Sequence, residues 1–215
     1  MRKTAKGFTL IEIIVVIAII GILGAILVPS LLGYVRKAKR TSDIASAKEI
    51  FNNTIQIIDS EEDITWWSSS RSAYVKTNAM NSFYSPNGSS IKKIKAGQYK
   101  PDVFRKVDEE GNIYYLIPVV TLGPKTNGRW LQIDQEQTPF ATQLSDQMAK
   151  STGGKVNVPI KYEPKGQSPE LNTWFVCYRS NDVSQIEIWV GNYSSGSVYG
   201  GSGAPIYRVY PEPTY

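Results

Sequence analysis

Glu12 is a carboxylate five residues into an apolar run, Phe8 to Val28, of twenty-one positions with no other charged residue. Within a membrane helix such a group costs about 2.5–3.5 kcal/mol at the centre, less near an end, and by default marks a function. Other candidates for chemistry are sparse. The chain has no histidine, which removes the commonest general base and the commonest metal ligand together. Its single cysteine, Cys177, lies in the apolar run "TWFVCYR" and reads as a buried, inert thiol unable to form an intrachain disulfide. Acidic residues cluster at Glu61–Asp63 and at Asp108–Glu110, but the carboxyl-terminal loop Asn192–Pro205 contains none. No metal site or cofactor is expected, and no phosphate loop or serine elbow appears. Enzyme activity is not expected.

The elements that must position Glu12 follow from hydropathy. As a helix, Phe8–Val28 spans about 31 Å, close to the hydrocarbon thickness of a bilayer. Arg2, Lys3 and Lys6 precede it and account for three of the net +5 charges. They predict residues 1–7 in the cytoplasm and the carboxyl-terminal bulk outside. With much of the charge local, specific nucleic-acid binding is not expected. The apolar run exceeds the ~7–15 residues of a cleaved secretory signal, and a plain signal anchor leaves Glu12 unexplained. After Pro29, apolar residues recur at Ile44, Ala47, Phe51, Ile55 and Ile58, an amphipathic stripe. Asp43, Lys48 and Glu49 fall on its more polar faces, and Arg36–Arg40 read as a solvated or subunit-contact surface. Gly21, Gly24 and Pro29 are the candidate sites of a kink, since an internal proline costs about 3 kcal/mol.

The stretch "KGFTLIEIIVVIAIIGILGAILVP" resembles the processing and assembly segment of type IV prepilins and type II secretion pseudopilins. Lys6, Gly7, Phe8, Thr9, Leu10, Ile11 and Glu12 follow that family's pattern in order. The resemblance implies cleavage between Gly7 and Phe8 by prepilin peptidase, with Gly7 admitting the backbone to a tight site. It also implies methylation of the new amino group on Phe8. Glu12 would then pair with the Phe8 amine of a neighbouring subunit, offsetting the burial of both charges. Gly21, Gly24 and Pro29 would be where the helix bends or melts on packing into a filament. The implied partners are identical or related pilin subunits, prepilin peptidase, an inner-membrane assembly platform and, before assembly, the membrane.

Beyond the helix, residues 59–112 read as an irregular connection in which Trp66 and Trp67 pin a loop onto the core. Strands are expected at Asn112–Leu122, with Pro118 signalling an edge or a break, and at "VNVPIKY", "TWFVCYR", "QIEIWVG" and "IYRVY". "TPFATQLSDQMAK" reads as a helix capped by Thr138, with Ala141, Leu144 and Met148 buried and Gly153–Gly154 as its stop. "SND" suits a hairpin between the middle two strands. "IYRVY", Ile206–Tyr210, is expected to pin the carboxyl terminus by sheet pairing.

The fold expected is α+β: a long amino-terminal helix, membrane-spanning then amphipathic, packed on an antiparallel sheet of four or five strands. The expected division is a cleaved leader (1–7), a membrane and filament-core helix (8–28), an amphipathic helix (29–58) and an extracellular head (59–215). The function expected is a type IV pilus subunit for adhesion or motility, first in the cytoplasmic membrane and then at the cell surface. A minor pilin or a pseudopilin is the first alternative. A membrane-anchored binding protein that never polymerises is the second.

Overall fold

The computed structural model describes residues 8–60, 63–68, 73–78, 104–108, 110–123, 130–132, 139–151, 156, 158–167, 170–179, 182, 184–192 and 204–214. The chain divides into two compact units, Met1–Thr41 and Ser42–Tyr215. One helix, α1 (Leu10–Asp59), contributes to both. Pro29 lies within it, and the helix is assigned without interruption across that position.

In the first unit every described residue is exposed except Gly24, which is half-buried. This is what an apolar helix shows when nothing in its own chain covers it. In the second unit α1 becomes one-sided: Asp43, Ala47, Ile50, Thr54, Ile57 and Ile58 are buried. The centre of the stripe is thus turned from the expected one, and Ile44, Phe51 and Ile55 pack at its margin. Asp43, expected on a polar face, is 1% exposed. Its carboxylate accepts the backbone N–H groups of Lys161 (3.0 Å) and Tyr162 (2.7 Å). Those donors explain how a charge tolerates burial beside a hydrophobic core.

The sheet is built from β3 (Phe104–Val107), β4 (Ile113–Leu122), β5 (Trp130–Gln132), β6 (Thr173–Arg179), β7 (Ile186–Asn192) and β8 (Ala204–Tyr210). Its order is β3-β4-β6-β7-β8, all antiparallel, with the short β5 pairing the far end of β4. The second helix, α2 (Pro139–Ser151), buries Ala141, Leu144 and Met148 as expected, and Phe140 in addition. Both helices meet the face that carries Leu122, Trp174, Val176, Ile186, Ile188 and Val190. Each large side chain buried there stabilises the fold by about 1.5–3 kcal/mol relative to exposure. Thr138 and Gly153–Gly154 lie outside the described residues.

Three expectations change. The connection 59–112 contains strands β1 (Asp63–Ser68) and β2 (Ala73–Asn78), paired antiparallel with Asp63 opposite Asn78, and the edge strand β3. Aromatic and β-branched residues flank the serine-rich "SSRS", so the turn signal marks a hairpin rather than a long loop. The backbones of Trp66 and Trp67 lie in β1; their side chains fall outside the described residues. "VNVPIKY" is not a strand where it is described: its backbone donors at Lys161 and Tyr162 go to Asp43 instead of a neighbouring strand. Pro118 does not place β4 at an edge but marks a break in its ladder. It sits opposite Cys177 at a register shift before Val120, between the β3 pairing that ends at Leu116 and the β5 pairing that starts at Val120. A residue without an N–H fits such a gap in the ladder.

Candidate functional site

The amino-terminal end of α1 is built by three residues. Thr9 precedes the first helical residue, Leu10, and Glu12 lies in the first turn. One oxygen of the Glu12 carboxylate, Oε2, accepts both the Thr9 backbone N–H and the Thr9 hydroxyl, each at 2.7 Å. The Glu12 N–H points back to Thr9 Oγ1 at 3.4 Å. This is a capping box, in which two backbone donors left over at a helix start are satisfied reciprocally. The spacing Thr-x-x-Glu carried that signal, masked by the unusual apolar setting. Among the described residues, the second oxygen, Oε1, has no hydrogen-bond donor. The carboxylate is therefore held in place by one oxygen and offers the other.

Phe8, immediately before the cap, is 85% exposed. Gly7 lies outside the described residues, so the Gly7–Phe8 bond is seen from one side only. Gly21 and Gly24 are set along α1, and a side chain added at either would meet nothing within 4 Å. The structure thus brings Glu12 together with Thr9 and leaves Gly21, Gly24 and Pro29 strung along the uncovered helix. This part of α1 is long and apolar enough to cross a membrane, and none of it is buried in its own chain.

The prokaryotic N-terminal methylation motif matches residues 2–28, the segment that holds this cap and the apolar helix. Over this segment the chain resembles type IV pilins and type II secretion pseudopilins. The type IV wide pilus major component PilA4 of Thermus thermophilus is 56% identical over 39 residues, 18% of this chain and 30% of that protein. Type II secretion system core protein G of Dickeya chrysanthemi is 47% identical over 49 residues, 21% of this chain and 32% of that protein. Its namesake in Escherichia coli is 53% identical over 51 residues, 21% and 35% of the two chains. The pilin-like chain spans about a third of the length of the curated relatives it matches. No solved structure matches it at a significant level.

Sequence reasoning missed a second charged centre, in the head. Glu187 is 2% exposed on the sheet face opposite α1 and α2. Arg179 reaches its Oε1 at 2.6 Å, Arg208 reaches the same oxygen at 3.0 Å, and the Trp189 indole N–H donates to Oε2 at 2.8 Å. Arg179 also lies over the Tyr114 ring, 4.2 Å from its centroid, and Lys106 over the Trp189 ring at 4.6 Å. Arg208 ties down the chain end: its Nε donates to the Glu212 carbonyl (2.7 Å), and its backbone exchanges bonds with Thr214. The carboxyl terminus is therefore held by pairing of Ile206–Tyr210, as expected, and also by a buried ion pair. Cys177, fully buried on this same face, has its thiol pushed well up by burial and by the Glu187 charge. The signal for this centre was the alternation in "QIEIWVG", which puts Glu187 between buried apolar neighbours.

Proposed function

We propose that the chain is a structural subunit of a type IV pilus, made as a membrane precursor and polymerised into a surface filament. The observation that carries this reading is the match over residues 2–28 to a segment whose one carboxylate stands, half-engaged, at the tip of an uncovered apolar helix. Prepilin peptidase would cut between Gly7 and Phe8 and methylate the Phe8 amine. That cut creates a positive charge within one residue of the cap. In the filament, Glu12 Oε1 would receive the Phe8 amine of a neighbouring subunit while Oε2 keeps the Thr9 cap. Both buried charges are then paired, without which burial of either would be prohibitive. The apolar stretch 8–28 supplies the filament core, 29–58 leads into the head, and 59–215 forms the outer surface, with Gly21, Gly24 and Pro29 as the points of bending or melting.

The basic leader would keep residues 1–7 in the cytoplasm and send the head outward. An inner-membrane platform would then extract the processed subunit. The mass of the mature chain's amino-terminal peptide tests processing. A methylated Phe8 terminus is expected in a host with the peptidase, and an intact Met1 there would refute the proposal. The secretion relatives favour a second reading, a pseudopilin of a type II secretion system. Deleting the gene separates the two: loss of surface fibres indicates the pilin, loss of secreted protein with fibres intact the pseudopilin.

A further inference from the structure

We infer that Arg36, Lys37, Lys39 and Arg40 form a one-sided cationic face that binds anionic lipid headgroups where α1 leaves the membrane. The inference rests on the membrane-spanning reading above and adds to it a lipid preference. Exposed apolar side chains do not stop at Val28: Leu31, Leu32, Tyr34 and Val35 continue them, all in the first unit. From Phe8 to Val35 a helix rises about 42 Å, more than the ~30 Å of hydrocarbon and close to the ~40–45 Å of a bilayer with its headgroups. Leu31–Val35 therefore fall in the interfacial layer, where the amphipathic ring of Tyr34 is favoured.

The four cations come directly after Val35, and all are exposed. At about 100° per residue they cover an arc of roughly 160°, so they face one side rather than ringing the helix. Their long aliphatic stems can lie along the apolar surface while the charged heads reach phosphate oxygens. The sequence has no acidic residue between Glu12 and Asp43. A one-sided cationic face, continuous with a membrane span and free of interspersed acids, matches an anionic headgroup layer.

The test uses the full chain in detergent, titrated with phosphatidylglycerol or phosphatidylcholine and read by native mass spectrometry. Wild type should retain phosphatidylglycerol preferentially. In the series Arg36→Gln, Lys37→Gln, Lys39→Gln and Arg40→Gln, combined stepwise, that preference should fall about fivefold per cation removed. Equal retention of both lipids by wild type overturns the proposal, as does an unchanged preference in the fourfold variant. Competition by inorganic phosphate as effective as by the lipid would make this a soluble-anion site and also overturn it. Loss of filaments in the fourfold variant with lipid preference intact would assign the cations to a neighbouring subunit, against the proposal. Carbonate extraction of the chain from vesicles is read separately: release would sink the membrane reading itself, whereas retention without lipid preference sinks only the cationic lipid site.

Discussion

At the scale of single residues, substitution can separate the Glu12 cap from its proposed pairing with the Phe8 amine. Glutamine keeps an acceptor at the third helical position and so preserves the capping box, but it removes the charge. Glu12→Gln is expected to leave the start of α1 folded while abolishing filament assembly, counted by electron microscopy. Thr9→Val should do the reverse to the helix: loss of the cap costs about 1 kcal/mol, so amide exchange at residues 10–13 in micelles should quicken about fivefold. If Glu12→Gln assembles normally, the carboxylate is a cap and no more. In the head, the matching test falls on Glu187. Removing one partner of a buried ion pair costs about 3–5 kcal/mol, because the remaining charges lose their compensation. Glu187→Gln should therefore lower the head's melting point far more than Asp146→Asn at an exposed position of α2, and loosen the tail held by Arg208.

At the scale of elements, a pH effect belongs to β6. Burial raises the Cys177 thiol above its ordinary value, so the folded chain holds that proton where the unfolded chain releases it. Stability from this group is complete below the unfolded thiol pKa, about 8.5, and declines as pH rises above it. Denaturant titrations of wild type and Cys177→Ala should diverge with that sign above about pH 8.5, and native Cys177 should resist alkylation where a free thiol reacts. The β7–β8 pairing has its own sensitive point. A methyl group at Gly191 would run into the Ala204 carbonyl and approach Phe175 Cε2 at 2.9 Å. Gly191→Ala is expected to cost about 1–3 kcal/mol through a shifted strand, read by thermal melting. Helix α2 and strands β4, β6, β7 and β8 were all legible beforehand, because their periodicity or apolar run is local. The hairpin β1–β2 was hidden because turn residues dominate its surroundings. "VNVPIKY" was misread because a carboxylate far along the chain takes the amides a strand partner would have taken.

At the scale of the whole molecule, all of α1's buried residues lie at Asp43 or beyond. A chain starting at Ser42 should accordingly fold as a soluble monomer with the melting temperature of the full-length head, measurable by circular dichroism and light scattering. Failure to fold would mean that the first unit contributes to the head's stability.

The sequence alone determined that the amino-terminal segment is apolar and matches the methylation motif, since composition and residue order do not depend on distant contacts. It determined the α+β class for the same reason, since the helical and strand periods are written locally. Only the tertiary structure decided what happens to charge inside the head. Asp43 read as a residue of a polar face and Glu187 went unremarked, because sequence shows a residue's type but not its donors. Their partners, the amides of Lys161 and Tyr162 and the guanidinium groups of Arg179 and Arg208, come within reach only when the sheet forms and the helix packs against it.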